Sequence, residues 1–316
     1  MHRRSYSFII PALDDAAGLA RHLEYFSNVT ERVELVIIDD CSGDQTPKVV
    51  KNAPLPQNIA LKYRRNPVNL GPGPSRNEGL KLATGDFVMF LDADDLLADC
   101  FFDFIRLAPL ENGADFALFG YHLAPSPESR LSYEMRKTDA ALFAALSDPG
   151  FPTQLFTLAE APQMLRMTNY PWNKLYRRDF LRAAGITFPD FRLHEDILPH
   201  WHSFMRARRF AVLGWAPPLI HHFEDENGNR ATNHVGPDRL DLFPILEQLH
   251  QDIGAHPARD ILLPQFNAFH DALFDWLVNV VARKPDAMGQ NWREAYLERI
   301  TAFRRGITTT GRGEYP

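Results

Sequence analysis

The sequence predicts an α/β protein, with a mostly parallel sheet covered by helices and a helical C-terminal extension. Short apolar runs alternate with amphipathic stretches through the first 121 residues, the pattern of strands linked by crossover helices. Several runs are continuously apolar, as in strands buried on both faces. From about residue 237 the apolar residues recur at helical spacing instead.

Residues 6–10 read as the first strand, stopped by Pro11. Residues 16–26 read as a helix with Leu19, Leu23 and Phe26 on one face. A second strand follows at 34–38, then a helix at 45–52 capped by Ser42 or Asp44. Residues 59–63 form a third strand. Residues 74–83 form a helix, because Pro74 suits a first turn. The next strand is 87–91, followed by a helix at 101–107 and a strand at 116–121. Residues 122–170 mix helical stretches with Pro and Gly breaks, an excursion suited to substrate contacts. In 260–283, Phe266, Phe269, Leu273, Trp276, Leu277 and Val280 form a helical stripe. These features divide the chain into domains at 1–225 and 226–316.

With 316 residues, 34 basic and 40 acidic, the chain carries a formal charge of −6. That argues against a nucleic acid partner. Cys41 and Cys100, the two cysteines, suit a reducing compartment. No run reaches the ~20 apolar residues of a membrane span. The expected location is the cytoplasm, with peripheral contact at the inner membrane face left open.

The motif richest in chemistry follows the strand at 87–91. Asp92, Asp94 and Asp95 stand at its carboxyl end, where open α/β sheets place ligands. Like charges so close raise one another's pKa, and a divalent cation relieves the repulsion. Mn²⁺ or Mg²⁺ bound through one or two carboxylates and phosphate oxygens fits this pattern. The competing reading makes Asp95 the cap of the next helix, which leaves Asp94 as the ligand. Asp39, Asp40, Ser42, Gly43 and Asp44 follow the second strand, either as a turn or as acceptors for a base or ribose. Gly71 and Gly73 lead into a helix carrying Arg76, so backbone amides and a guanidinium can meet an anion. Glu195 and Asp196 precede another helix, as cap or as general base. His200 and His202 are two apart, which argues against a zinc site. A single imidazole, His221 or His222, remains a candidate to touch the metal or a phosphate, against the alternative of an ordinary buried histidine.

Taken together, residues 7–12, 36–44, 69–80, 90–95, 172–176 and 194–196 resemble the family 2 glycosyltransferases of the GT-A fold. The last two segments are most similar to bacterial members that build surface polysaccharides. The resemblance implies that residues 1–225 bind a nucleotide-sugar and carry catalysis. Backbone at Pro11 and Ala12, with Asp40, would hold the base, most often uracil. Asp14 replaces the usual Asn near the base and would alter nucleotide preference. Arg76 would lie near the base or phosphates. Asp92 would contact ribose or a metal-bound water across Ala93, and Asp94 would ligate Mn²⁺ or Mg²⁺, with His222 as a further metal candidate. Asp196 would be the catalytic base, with Glu195 beside it shaping the acceptor pocket. Trp172 would pack against the sugar region, and Arg230 would belong to a loop closing on the diphosphate. Cys41 stands where Gly is common, a departure that would strain a positive φ.

The implied activity is an inverting, metal-dependent transfer from a nucleotide-sugar, a UDP-sugar first, to a glycan or lipid-linked acceptor. A sugar nucleotidyltransferase would carry a basic Gly-rich loop after its first strand, where this chain has Pro-Ala-Leu-Asp-Asp. A phosphatase with an aspartyl nucleophile would have its Asp pair after the first strand instead. A non-catalytic nucleotide-sugar-binding module stays open. The helices of 237–305 either pack on the catalytic domain, form a homo-oligomer contact or rest on a membrane.

Overall fold

A computed structural model of the chain describes residues 4–126, 133–146, 154–223, 236–283 and 290–305. It separates into two compact units: residues 1–191 with 195–226, and residues 192–194 with 227–316.

In the first unit, strand β1 (Ser5–Ala12) leads to helix α1 (Ala16–Ser27), β2 (Arg32–Asp39), α2 (Thr46–Lys51), β3 (Ile59–Arg65), α3 (Pro72–Leu82) and β4 (Phe87–Phe90). These elements agree in kind and order with the sequence reading. Next come β5 (Leu96–Leu97), α4 (Phe101–Ile105), β6 (Phe116–Phe119), β7 (Tyr121–Ala124), β8 (Tyr133–Glu134), α5 (Lys137–Leu146) and β9 (Gln154–Phe156). The unit ends with β10 (Lys174–Arg177), α6 (Arg178–Ala183), α7 (Ile197–Arg206), β11 (Phe210–Leu213) and β12 (Ile220–Phe223).

The main sheet has eight strands in the order β3-β2-β1-β4-β10-β6-β11-β9. Its first half is parallel: β1 lies between β2 and β4, with Ile9 level with Val36 and Phe90. β10 enters antiparallel to both β4 and β6. Phe8, Ile10, Leu35, Ile37, Met89 and Leu91 are fully buried, as continuous apolar strands require. The apolar face of α1 covers them, with the Phe26 ring 4.8 Å from that of Phe8.

The expected strand 116–121 divides at Gly120. β6 joins the main sheet, whereas β7 joins a second sheet ordered β5-β12-β7-β8. That small sheet fixes part of the site. β12 pairs antiparallel with β5, with Ile220 opposite Leu97 and His221 opposite Leu96. Continuing this register sets His222 opposite Asp95, although the two are 127 residues apart in sequence.

In the second unit, a 3₁₀ turn (Pro237–Asp241) leads into α8 (Leu242–Ala255), α9 (Arg259–Arg283) and α10 (Gln290–Arg304). Phe243, Leu246, Leu249, Phe266, Phe274, Leu277 and Tyr296 are buried there. Trp276, on the expected stripe, is 38% exposed. No helix among the described residues is long and apolar enough to cross a membrane.

Candidate active site

The carboxyl ends of the parallel strands gather the acidic loops predicted from sequence. Ala12 ends β1, and its carbonyl accepts from the Asp40 amide at 2.8 Å. Pro11 is half-buried in the same strand. The Asp40 carboxylate is buried and accepts from Asn66 Nδ2 and from the amides of Leu70 and Gly71 at 2.7–2.9 Å. It therefore holds the loop that leads into α3. Asp39, level with it, accepts from the Ser42 amide, Tyr63 Oη and Arg65.

Asp14 and Cys41 both sit at positive φ, 52° and 73°. The Asp14 carboxylate accepts from the amides of Gly43 and Asp44 at 2.6 and 3.2 Å, so it ties two loops together. Asp44 in turn accepts from the Thr46 amide at 2.9 Å at the start of α2. Ser42 instead accepts from the Asp14 amide at 3.0 Å.

Asp92, Asp94 and Asp95 each offer a carboxylate oxygen within 4.8 Å of the others. Asp92 and Asp94 are half-buried, with Ala93 buried between them. Asp95 is wholly buried and does not cap a helix, because α4 starts at Phe101 behind Cys100. Its Oδ1 accepts from His222 Nδ1 at 2.7 Å, while its Oδ2 has no partner. Burial pushes Asp95 up to about 7, against the pull of His222. Burial draws His222 down, but Asp95 beside it raises the imidazole above its ordinary value. A divalent cation fits this donor set. Three oxygens converge, one buried carboxylate oxygen is unsatisfied, and an imidazole lies at the edge.

Trp172, expected to pack against the sugar region, is fully buried. Its ring stacks on Tyr170 at 4.3 Å and lies 4.9 Å from His222, so it backs the imidazole from within. The adjoining Lys174 is 1% exposed. Its Nζ donates to the Tyr170 carbonyl and Asn173 Oδ1, both at 2.7 Å. Burial lowers Lys174 to about 7, while Asp196 and Asp139 pull it upward. Neither this lysine nor Asp95–His222 pairing was assigned from sequence. Lys174 lies in the segment Trp-Asn-Lys-Leu-Tyr, and no local signal marks a lysine as buried.

Arg76 joins the two halves of the site. It is 4% exposed and donates through Nη2 to Asp92 Oδ1 and through Nη1 to Glu195 Oε1, both at 2.7 Å. Its guanidinium also lies 5.2 Å from the Phe188 ring. Burial opposes its charge, yet Asp92 and Glu195 raise its proton affinity further. The sequence placed Arg76 near base or phosphates; the structure aims its fork at two carboxylates. Gly73 permits this, because a Cβ there would lie 2.6 Å from the Pro189 carbonyl and 3.3 Å from Glu195 Cγ.

Asp196 stands at the N-cap of α7 but makes no capping bond through its side chain. The capping alternative therefore does not occupy it. Burial pushes its carboxyl up to about 7, and Glu195 adds to this; Arg76 and Lys174 act against it. His200 is buried, its Nε2 on the Leu165 carbonyl at 3.2 Å, remote in role from any metal set. Arg230 lies outside the described residues.

Residues 7–184 match the family Glycosyl transferase family 2. EpsH of Bacillus subtilis (strain 168), named as a glycosyltransferase, is 25% identical over 227 residues, covering 70% of this chain and 61% of that protein. The poly(ribitol-phosphate) beta-N-acetylglucosaminyltransferase TarS of Staphylococcus aureus (strain MW2) is 29% identical over 189 residues. That match covers 57% of this chain and 28% of TarS, so the chain spans less than two thirds of either relative. Among solved structures, TarS 1–349 of S. aureus in complex with UDP-GlcNAc superposes with a TM-score of 0.66 at 20% identity, covering 98% of each chain. The mannosyltransferase PcManGT from Pyrobaculum calidifontis, in complex with GDP-Man and Mn2+, gives 0.58 at 18% identity, covering 96% of this chain and 87% of that one. Both likenesses bear on the fold, which is the expected GT-A arrangement with helices at the C-terminus.

Proposed function

The chain belongs to glycosyl transferase family 2, and from that premise we propose that it transfers a sugar from a nucleotide-sugar to a hydroxyl acceptor, with inversion. The donor we assign is a UDP-sugar, and the acceptor a glycan or lipid-linked glycan of a surface polysaccharide, met at the cytoplasmic face of the membrane. The observation that carries the reading is the Arg76 bridge. It draws the acidic loop at 92–95 and the carboxylates at 195–196 into one site, although Arg76 and Glu195 are 119 residues apart. Donor-side carboxylates and an acceptor-side base in one place are what group transfer to a hydroxyl requires.

In this reading residues 1–225 are the catalytic domain and 226–316 a helical extension. Pro11, Ala12 and the Asp40-held loop receive the nucleotide base, and Asp14 shapes that loop. Asp92, Asp94 and Asp95, with His222 behind them, would hold Mn²⁺ or Mg²⁺. A bound ion supplies positive charge for the departing diphosphate. Asp196 takes the proton of the attacking hydroxyl. A carboxyl raised to about 7 is matched to that task near neutral pH. Glu195, fixed by Arg76, borders the acceptor, and Trp172 keeps His222 in place. One carboxylate on the acceptor side suffices for inversion, because no covalent intermediate has to be resolved.

The test is hydrolysis and transfer with UDP-GlcNAc and related donors. Slow sugar release that needs Mn²⁺ or Mg²⁺ and disappears in Asp94→Asn is expected. Pyrophosphate release from UTP and a sugar phosphate would replace this proposal with nucleotidyl transfer. Tight UDP binding without turnover for any acceptor would leave a binding module.

A further inference from the structure

We infer that one face of helix α1 is the seat of the acidic loop, with Gly18 and His22 as positioning residues for Asp92 and Ala93. The inference deepens the proposed function, since it rests on that loop being the donor and metal site. Gly18 and His22 are four apart, so they lie one above the other on the same helix face. Both are buried. His22 Nε2 lies 3.0 Å from the Asp92 carbonyl. A carbonyl only accepts, so the proton is on Nε2 and the imidazole donates. The other ring nitrogen, Nδ1, is buried without a partner. The imidazole therefore makes its contact through the atom that faces the loop.

Gly18 shows the same closeness. An added Cβ would run into the Ala93 carbonyl and the Asp15 carboxylate. Asp15 caps the helix through the Gly18 amide at 2.8 Å. The helix therefore enters as a rigid body against two successive carbonyls of the loop. From its other side, the Asp92 carboxylate is gripped by Arg76 at 2.7 Å. Asp92 is thus held at both backbone and side chain, and its direction into the site follows from both. Groups behind metal ligands commonly alter affinity by about 10- to 100-fold when removed. Here the contact acts through the backbone, which points to the lower end of that range.

The experiment compares His22→Gln, His22→Leu and Gly18→Ala with the wild-type protein. A Gln side chain can set its amide nitrogen close to the position of Nε2, whereas Leu supplies no donor. Mn²⁺ binding in the presence of UDP is read by electron paramagnetic resonance, and UDP binding without metal by calorimetry. His22→Leu and Gly18→Ala should weaken Mn²⁺ binding about tenfold, with metal-free UDP affinity within about twofold. His22→Gln should stay within about threefold of wild type. Amide hydrogen exchange across residues 92–96 of the metal-free proteins gives a second readout. It should speed up in His22→Leu and Gly18→Ala but not in His22→Gln. Unchanged exchange and unchanged Mn²⁺ affinity in both disruptive variants would overturn the seat while leaving the metal site intact. Wild-type protein that binds UDP but no Mn²⁺ would overturn the metal reading and this inference with it.

Discussion

Replacing Arg76 by Met is the most direct perturbation of this site. The guanidinium is 4% exposed, and its removal strands Asp92 and Glu195, whose side chains are 27% and 12% exposed. Breaking a buried ion pair from one side costs roughly 3–5 kcal/mol. Asp92 retains more access to water, so the lower end applies, about 3 kcal/mol. For a unit of about 220 residues, each kcal/mol moves Tm by roughly 2–4 °C, which gives a fall of about 6–12 °C. Lysine keeps a charge but cannot span both carboxylates, so Arg76→Lys should fall between. Scanning calorimetry of wild type, Arg76→Met, Glu195→Gln and the double variant closes a double-mutant cycle. The arginine–glutamate term should exceed about 1 kcal/mol. An Arg76→Met transition within about 2 °C of wild type, or a coupling under about 0.5 kcal/mol, would refute the claim that this residue ties the two halves together.

Two further variants address the base and a strained turn. Asp196→Asn should retain UDP binding and lose transfer, while the wild-type rate should climb with pH through about 7 as the carboxyl ionises; equal loss of binding and transfer would remove Asp196 from the base role. The stability sign is opposite: a carboxyl raised from 3.8 to about 7 binds its proton more tightly when folded, so stability declines as pH rises through that window, and Asp196→Asn should flatten the decline in a pH series of Tm. Cys41→Gly should stabilise the fold by about 1 kcal/mol, since a side chain at a φ of 73° is strained by roughly 1–2 kcal/mol and glycine returns part of that as chain entropy; a fall in Tm on urea or thermal melts would contradict this.

The first half of the fold was legible because its signals are local. Strands β1, β2 and β4 are runs such as 7–10, 35–38 and 87–90, and their carboxyl ends point to a site by topology alone. What escaped were pairings set by tertiary register. Residues 174–177 carry no strand-like alternation of their own, yet become β10, antiparallel between β4 and β6. Asp95 looked like a helix cap because capping is the commonest use of Asp before a helix. Its true partner is chosen by the β5–β12 register, which links residues about 125 apart. Arg76 shows the same limit. A helix N-terminus with an arginine suggests an anion, and local sequence cannot reveal that Asp92 and Glu195 reach the guanidinium first.

The charges of the site bear on why Asp95 and Asp196 sit so high. Asp92, Asp94, Asp95, Glu195 and Asp196 face Arg76, Lys174 and His222, an excess of acid in a partly desolvated space. Burial and mutual repulsion raise Asp95 and Asp196, and burial lowers Lys174 toward neutrality, so the pocket is poised to take up positive charge. Protons can supply it, but a divalent ion supplies more at neutral pH without consuming the proton affinity of the base. On the proposed reading, the division is spatial. Asp95 and His222 belong to the donor side, Asp196 and Lys174 to the acceptor side, and Arg76 stands between them with one bond to each half. On that reading Asp196, next to the Glu195 that the shared arginine holds, would keep its own affinity for the hydroxyl proton while a bound ion acted on the leaving diphosphate.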